Sequence, residues 1–317
     1  MMRAREILVA AVAAAAILLL TLAVPWLRFV FTIAIAKGIT VLGILVLLRA
    51  GQVSFGHALY LSFGAYIVAF AAPFCPEALL LLPLAALGAT LLGLVIGLFV
   101  SRYRDIFFGM LNLALSMVFY STLEKFYSIT HGTDGIRLAR TTFLGMTLTP
   151  ETQAWTALGL ALLLAAVFAI LVRIYLESPM GHGLSAIKTR EARLEFMGIS
   201  AQRVLLAAYV LSAFMAGCGG FIVAMATRQV TPSLAYWTAS GELVFIAILG
   251  GTGSVLGPFL GAIAYELTRV YAAALFAEGW QMILGAVLLL VILFAPGGLW
   301  SILRRMARQR VGRDARP

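Results

Sequence analysis

Continuous apolar runs recur along the whole chain, as at residues 79–100 and 281–295, and many approach the length of a bilayer crossing. A helical span needs about 20 predominantly apolar residues. With 62% hydrophobic and only 11% charged residues, too few polar groups remain to cover a water-soluble domain. Disorder is excluded on the same ground. Transmembrane barrels alternate apolar and polar residues, whereas these runs are continuous. The expectation is an all-α polytopic membrane protein with about 8–10 transmembrane helices, some of them broken.

Spans are placed near residues 7–27, 29–48, 55–74, 78–100, 106–123, 154–176, 204–227, 242–250, 255–275 and 279–297. The eighth is too short to cross alone. It reads either as a half-helix or as the start of a long broken one. The first run follows Arg3 and Arg5 as a signal peptide's would. It is long and no cleavage site precedes a soluble region, so it reads as a retained span.

The formal net charge of +10 invites a nucleic-acid reading, but the placement of the charges argues against it. Arg304, Arg305, Arg308, Arg310, Arg313 and Arg316 follow the last apolar run. Basic residues that flank spans orient a chain in its membrane. With the N-terminus inside, the inner side carries Arg3, Arg5, Arg49, Arg102, Arg104, Arg173, Lys188, Arg190, Arg193, Arg203 and that tail. The outer side carries only Arg28, Lys125, Arg137, Arg140, Arg228 and Arg269, while Lys37 lies inside a span. Both termini are therefore expected inside. Cys75 and Cys218 lie apart in apolar context and suggest packing, not a metal or redox pair.

The inner loop, residues 177–203, opens on Ser178-Pro179, which ends a helix, and closes on Gly198, a helix C-cap. Between them residues 184–197 read as one short two-faced helix. Leu184, Ile187, Leu194 and Met197 form its apolar stripe, Lys188, Arg193 and Glu195 fall largely elsewhere, and Glu191 interrupts the stripe. Such a helix either rests on the lipid interface or docks in a groove of a cytosolic partner. A second cluster, Gly51-Gln52-Val53-Ser54-Phe55-Gly56-His57-Ala58, puts polar groups at or near membrane depth. They are costly there unless they face protein or water, and a lone His57 is more often a packing group than a ligand. A third stretch, 250–262, holds Gly250, Gly251, Gly253, Ser254, Gly257, Pro258 and Gly261. It reads as a helix break beside a pathway or a tight turn at the inner surface, with Gly251 and Gly253 approached closely. Glu242 and Glu266 flank it; Glu242 is placed at the outer interface, and Glu266 is paired with Arg269. The outer loop, 124–153, carries the turn-rich His131-Gly132-Thr133-Asp134-Gly135. The three histidines lie in separate regions, and no zinc-protease, serine-hydrolase or G-x-x-x-x-G-K-[ST] phosphate-loop pattern is present. No sequence repeat of 20–50 residues is visible, although an inverted structural repeat need not leave one.

These stretches together resemble the permease subunits of branched-chain amino-acid ABC importers, the LivM/LivH family, and the LivM-type branch in particular. The resemblance is carried by Gly51-Gln52-x-Ser54-x-Gly56-His57-Ala58 with Gly64-Ala65-Tyr66, by Thr130 through Ile136, by Ser178-Pro179-x-Gly181 through Lys188 to Gly198-Ile199, by Leu249 through Ala262, and by Ala295-Pro296-x-Gly298-Leu299-Trp300. Each motif alone is weak; five in order are specific. The resemblance implies one permease domain over residues 1–317, with a membrane body at 7–303, a coupling loop at 177–203 and a basic cytoplasmic tail at 304–317. It implies a bacterial inner-membrane half-channel paired with a homologous permease, two cytosolic ATPase subunits and an extracytoplasmic solute-binding protein. ATP and Mg would bind on the ATPases and no cofactor on this chain. Ser178, Pro179, Gly181, Leu184, Ile187, Lys188, Leu194, Met197 and Gly198 would then meet the ATPase. Thr130, Gly132, Asp134 and Gly135 would face the binding protein. His182 and Ser185 depart from the arginines common in the family, and Thr252 stands where urea-importing relatives often carry a charge, which leans toward amino acids. The alternatives are a urea or other small-solute permease of the same family, an ion-coupled secondary transporter, which wants carboxylates mid-span, and a membrane scaffold or enzyme, which the lack of a catalytic cluster disfavours.

Overall fold

The computed structural model describes residues 2–147, 149–295, 297–302 and 304. The tail arginines beyond Arg304, the side chains of Arg3 and Arg5, and Pro296 of the closing motif lie outside the described residues. The apolar segments become helices α1 (Met2–Ala23), α2 (Leu27–Arg49), α3 (His57–Ala71), α4 (Ala78–Val100) and α5 (Asp105–Lys125). A short α6 (Tyr127–Thr130) follows, then α7 (Pro150–Glu177), and α8 (Pro179–Arg190) and α9 (Ala192–Phe196) in the basic loop. The last are α10 (Ala201–Thr227), α11 (Trp237–Gly250), α12 (Gly257–Leu275) and α13 (Trp280–Phe294). Helix starts follow the local chemistry. Ser178 accepts a hydrogen bond from the Gly181 N–H with Pro179 in the first turn, and Thr149 caps α7 in the same way ahead of Pro150.

Helices α2, α4, α5, α7 and α10 are long and apolar enough to cross a membrane unaided. α3 and α11 are not, at 15 and 14 residues. At about 1.5 Å per residue they fall short of the roughly 30 Å hydrocarbon core. The eighth segment is thus a half-helix, and it starts at Trp237 instead of residue 242. The polar Thr238, Ser240 and Gly241 hid its first turn from a hydropathy reading. The depth that α3 and α11 do not cover is taken up by the irregular segment that holds buried Gln52 and Ser54 and by a single 3-10 turn, Pro232–Ala235, whose two end residues are buried in protein. Non-helical chain is tolerated in a membrane only in such a setting.

α2 and α10 sit at the centre and run antiparallel: Gly43 faces Ser212, and Gly219 faces Ala36 and Thr40. Around them the packing is exchanged between two sets. α3 and α4 lie on α10, while α11 and α12 lie on α2. The sets α2–α5 and α10–α13 therefore form an inverted-topology repeat. Lipid tails are as apolar as leucine, so close backbone approach has to hold such helices together. α4 shows how. Ala85, Ala89, Gly93 and Gly97, four apart, turn toward α10, where a Cβ on Gly93 would overlap the Ala213 methyl. Its other face, Leu80, Leu84, Leu87, Leu91, Val95 and Leu98, is 47–68% exposed, as suits a lipid-facing stripe.

Candidate functional site

At the basic end, the stripe predicted on residues 184–197 is divided differently. The chain there is two helices, α8 and α9, with a break at Glu191. Glu191 is held by Arg104 from the α4–α5 turn through paired bonds, Nε to Oε2 at 3.0 Å and Nη2 to Oε1 at 2.8 Å. Leu184, Ile187 and Leu194 turn inward and are 0%, 7% and 4% exposed. They seat the loop on its own membrane body and do not offer themselves to a partner. Gly181 packs against the Tyr175 and Leu176 backbone, and the Lys188 stem covers Gly51. The open apolar surface lies one turn further on, at Phe196, 92% exposed, and Met197, 72% exposed, with Ile199 beside them. Gly198, at φ +74°, makes the turn that projects them. Of the four predicted stripe residues only Met197 is free to reach outward, Pro179, Lys188 and Gly198 of the predicted loop contacts are also exposed, and Phe196 was missed. The missed signal was Phe196 itself, an aromatic off the stripe just before a glycine turn.

Gln52, Ser54, Gly56 and His57 lie at the break between α2 and α3. The Gln52 carbonyl accepts the Asp105 N–H at 2.8 Å. His57 is fully buried, with Nδ1 2.8 Å from the Ser54 hydroxyl and Nε2 2.9 Å from that of Ser212. Beside it the Tyr60 and Tyr209 hydroxyls meet at 2.7 Å, and Tyr209 donates to the Asn112 side chain. This network ties α3, α5 and α10 to the irregular segment. His57 is a packing group there, and among the described residues no cluster of His, Cys, Asp and Glu converges on a metal site.

The glycine-rich stretch separates α11 from α12, as a break. Gly251 has φ +84°, and a Cβ on it would overlap the Gly297 carbonyl; a Cβ on Gly257 would overlap the Gly251 carbonyl and crowd that of Gly250 at 3.0 Å. Ser254 closes the turn, its hydroxyl accepting the Leu256 N–H and its carbonyl the Gly257 N–H, and Pro258 starts α12. Gly253 departs from expectation: an added Cβ would meet only Trp300, at 3.7 Å. Gly257→Leu is accordingly expected to abolish folded protein, since the clash is with backbone. Gly253→Ala is expected to leave the thermal midpoint in detergent within a few degrees of wild type, a change of about 0.5 kcal/mol or less. Equal loss in both variants would contradict this placement.

At the opposite end Thr130 is buried, donating to the Leu123 and Phe126 carbonyls, and Gly132 is buried beneath Tyr127. The Asp134 carboxylate accepts from Tyr127, and its carbonyl accepts from Gln229 at 2.8 Å. After Gly135 the chain pairs as a strand, Ile136–Arg137 against Gln229–Val230. These residues build an ordered cap whose exposed surface is His131, Thr133, Asp134, Arg137 and Arg140. Nearby, a hairpin over 142–147 rests on Glu77. The N–H of Gly145, above all, and then that of Leu144 and the Thr142 hydroxyl hold this carboxyl below its usual range, against a smaller opposing effect of burial. A depressed carboxyl stabilises the fold above its unfolded pKa and stops doing so as pH falls through the folded value. Protection of the hairpin amides, taken relative to their intrinsic exchange rates, should therefore fall at acid pH, below the ordinary carboxylate range. Glu77→Gln should show low protection at every pH and lose that dependence of the protection factor.

Within the membrane body the structure gathers charges that the sequence reading had scattered. Lys37 of α2 lies 2.9 Å from Glu242 Oε2 and 2.6 Å from Glu266 Oε1, with Arg269 3.6 Å from Glu266. Glu242 thus belongs to an intramembrane cluster and is not an interfacial residue. Glu266 does meet Arg269, but its nearer partner is Lys37. A cation in a span costs about 2.5–3.5 kcal/mol unless paired, which is the signal that could have linked Lys37 to the two carboxylates.

The inverted helix repeat, its lipid-facing stripes and its buried breaks define a polytopic α-helical membrane permease body. A family model described as the permease component of branched-chain amino acid transport systems matches residues 27–293. The chain belongs to that family. It is 26% identical over 252 residues to the high-affinity branched-chain amino acid transport system permease protein LivM of Escherichia coli, covering 73% of this chain and 59% of that protein. It is 24% identical over 189 residues to LivH of Salmonella typhimurium, covering 56% of this chain and 59% of LivH. The ribose import permease protein RbsC of Haemophilus influenzae is 25% identical over 143 residues, 43% of this chain and 44% of RbsC. The match thus spans less than two thirds of the length of these relatives. No solved structure matches.

Proposed function

We propose that the chain is the transmembrane permease subunit of an ATP-binding cassette importer. It forms half of a translocation pathway for branched-chain or other apolar amino acids. The family match over residues 27–293 is the observation that carries this reading. The partners are a homologous permease, two cytosolic ATPase subunits that bind ATP and Mg, and an extracytoplasmic solute-binding protein at the cap. The complex sits in a bacterial inner membrane with both termini cytoplasmic, in keeping with the basic residues flanking the spans on one side. The exposed Phe196–Met197 step is the coupling contact. α8 and α9 are anchored through buried Leu184, Ile187 and Leu194, so a force on Phe196 passes to α7 and α10 as a rigid body.

The test is leucine uptake into proteoliposomes holding the permease pair and its ATPases, with binding protein outside and ATP enclosed. Uptake that requires hydrolysable ATP supports the reading. The Lys37–Glu242–Glu266 cluster favours one competitor, an ion-coupled carrier. Uptake by this chain alone, driven by a proton or sodium gradient and indifferent to ATP, would establish that competitor instead.

A further inference from the structure

Glu242 has two neighbourhoods. On one side it meets Lys37, which it shares with Glu266. On the other it lines a cavity of about 410 Å³ between α11, α12 and α13. That volume lies within the roughly 300–1,000 Å³ of small-molecule sites. The walls are mostly apolar, with Phe245, Leu249 and Leu284, and the polar groups besides Glu242 are few, Thr238 and Gln281 among them. A mostly apolar hollow with a small number of placed polar groups is the usual form of a ligand site. The charge balance gives the ligand a sign. Glu266 has both Lys37 and Arg269 within 4 Å, whereas Glu242, which is also hydrogen-bonded by the Tyr265 hydroxyl of the cavity wall, has among the described residues only the shared Lys37 as a cation. Glu242 is also the more open carboxylate, with its side chain 25% exposed against 5% for Glu266. A second cation arriving from the cavity side would complete its pairing without displacing Lys37.

We propose that this cavity binds a small primary ammonium compound with a branched aliphatic side chain. The ammonium group sits on Glu242 and the side chain lies against Phe245, Leu249 and Leu284. For an amino acid, the carboxylate would accept hydrogen bonds from the Gln281 amide and the Thr238 hydroxyl. The choice of an amino acid and of a branched side chain rests on the proposed permease function; the ammonium site and its apolar flank rest on the cavity and its charges. The site would hold the ligand within this one chain, between its own helices, and its selectivity would add to that of any external binding protein.

Trp237 and Trp280 line the cavity and report on it. The full chain, purified in nanodiscs, is titrated with L-leucine, 3-methylbutylamine, which lacks the carboxylate, and 4-methylpentanoate, which lacks the ammonium. Saturable change in tryptophan fluorescence is expected with the first two and not with the third. Glu242→Gln keeps the Lys37–Glu266 pair and is expected to weaken both responses by about ten- to hundredfold, the worth of one charge-assisted hydrogen bond. Leu284→Trp fills the hollow without touching an ion pair and guards against a folding artefact; it should also abolish binding. Equal response to 4-methylpentanoate, or unchanged titrations in both variants, overturns the proposal. Failure of all three probes to bind a chain that still supports ATP-driven uptake overturns the site and leaves the permease reading standing. Binding by a chain without ATP-dependent uptake does the reverse.

Discussion

Phe196→Asp is expected to lower ATP-driven uptake by about thirtyfold or more while the chain stays folded and inserted. The side chain is 92% exposed, so the free subunit gains nothing from it. In the proposed complex the ATPase, not the lipid interface, covers its apolar ring, and aromatic anchors of that kind are commonly worth about 2 kcal/mol or more, about thirtyfold in binding. Ile187→Asp is the informative contrast. Ile187 is 7% exposed and packed under the loop, so an aspartate there is expected to cost several kcal/mol and remove folded protein from the membrane. Uptake per folded permease and the thermal midpoint in detergent separate the two effects. Wild-type uptake in Phe196→Asp would move the coupling contact elsewhere on the basic end.

The second large effect is expected at Lys37. Lys37→Met leaves Glu242 and Glu266 facing each other in the membrane body, with only Arg269 at 3.6 Å from Glu266 to offset them. Removing one partner from a buried pair typically costs about 3–5 kcal/mol, because the remaining charge is uncompensated. The variant should therefore be recovered at a small fraction of the wild-type level. Lys37→Met combined with Glu242→Gln removes the uncompensated carboxylate, keeps the Glu266–Arg269 pair and should restore folded protein. It should not restore binding at the cavity. A stable single Lys37→Met variant would show that the cluster does not hold the helices.

What the sequence carried well was the set of apolar runs, because a bilayer imposes a length and a composition that each helix must meet by itself. α2, α4, α5, α7 and α10 were placed within a few residues for that reason. Where two elements share a requirement, one chain segment no longer tells the story. The 184–197 stripe is real, but an apolar stripe does not say what covers it. Here its own body does, and Arg104 holds the very Glu191 that interrupted the pattern, at the step between α8 and α9. His57 and Ser54 were recognisable as unusual, yet their partner Ser212 is 155 residues away. The short α11 shows the same limit, since a half-helix buried by its neighbours need not be apolar from its first turn. Gly253 and Gly251 look alike in sequence, yet only Gly251 has a left-handed φ and residues 297 and 298 against it.

The Lys37–Glu242 pair spans 205 residues, and that separation sets a schedule for synthesis. At about 5–20 residues per second, α2 emerges some 10–40 seconds before Glu242 exists. During that interval Lys37 sits in a helix that will finally be covered on almost every side, with neither its carboxylates nor the α10 surface yet made. α2 must wait in a provisional position, its lysine reaching toward a membrane surface or sheltered by the insertion machinery. It is locked in only when the second half of the inverted repeat arrives. The last helices to leave the ribosome thus decide whether the second one stays in the bilayer. Premature termination before Glu242 should leave a fragment that quality-control proteases extract, however apolar its remaining spans.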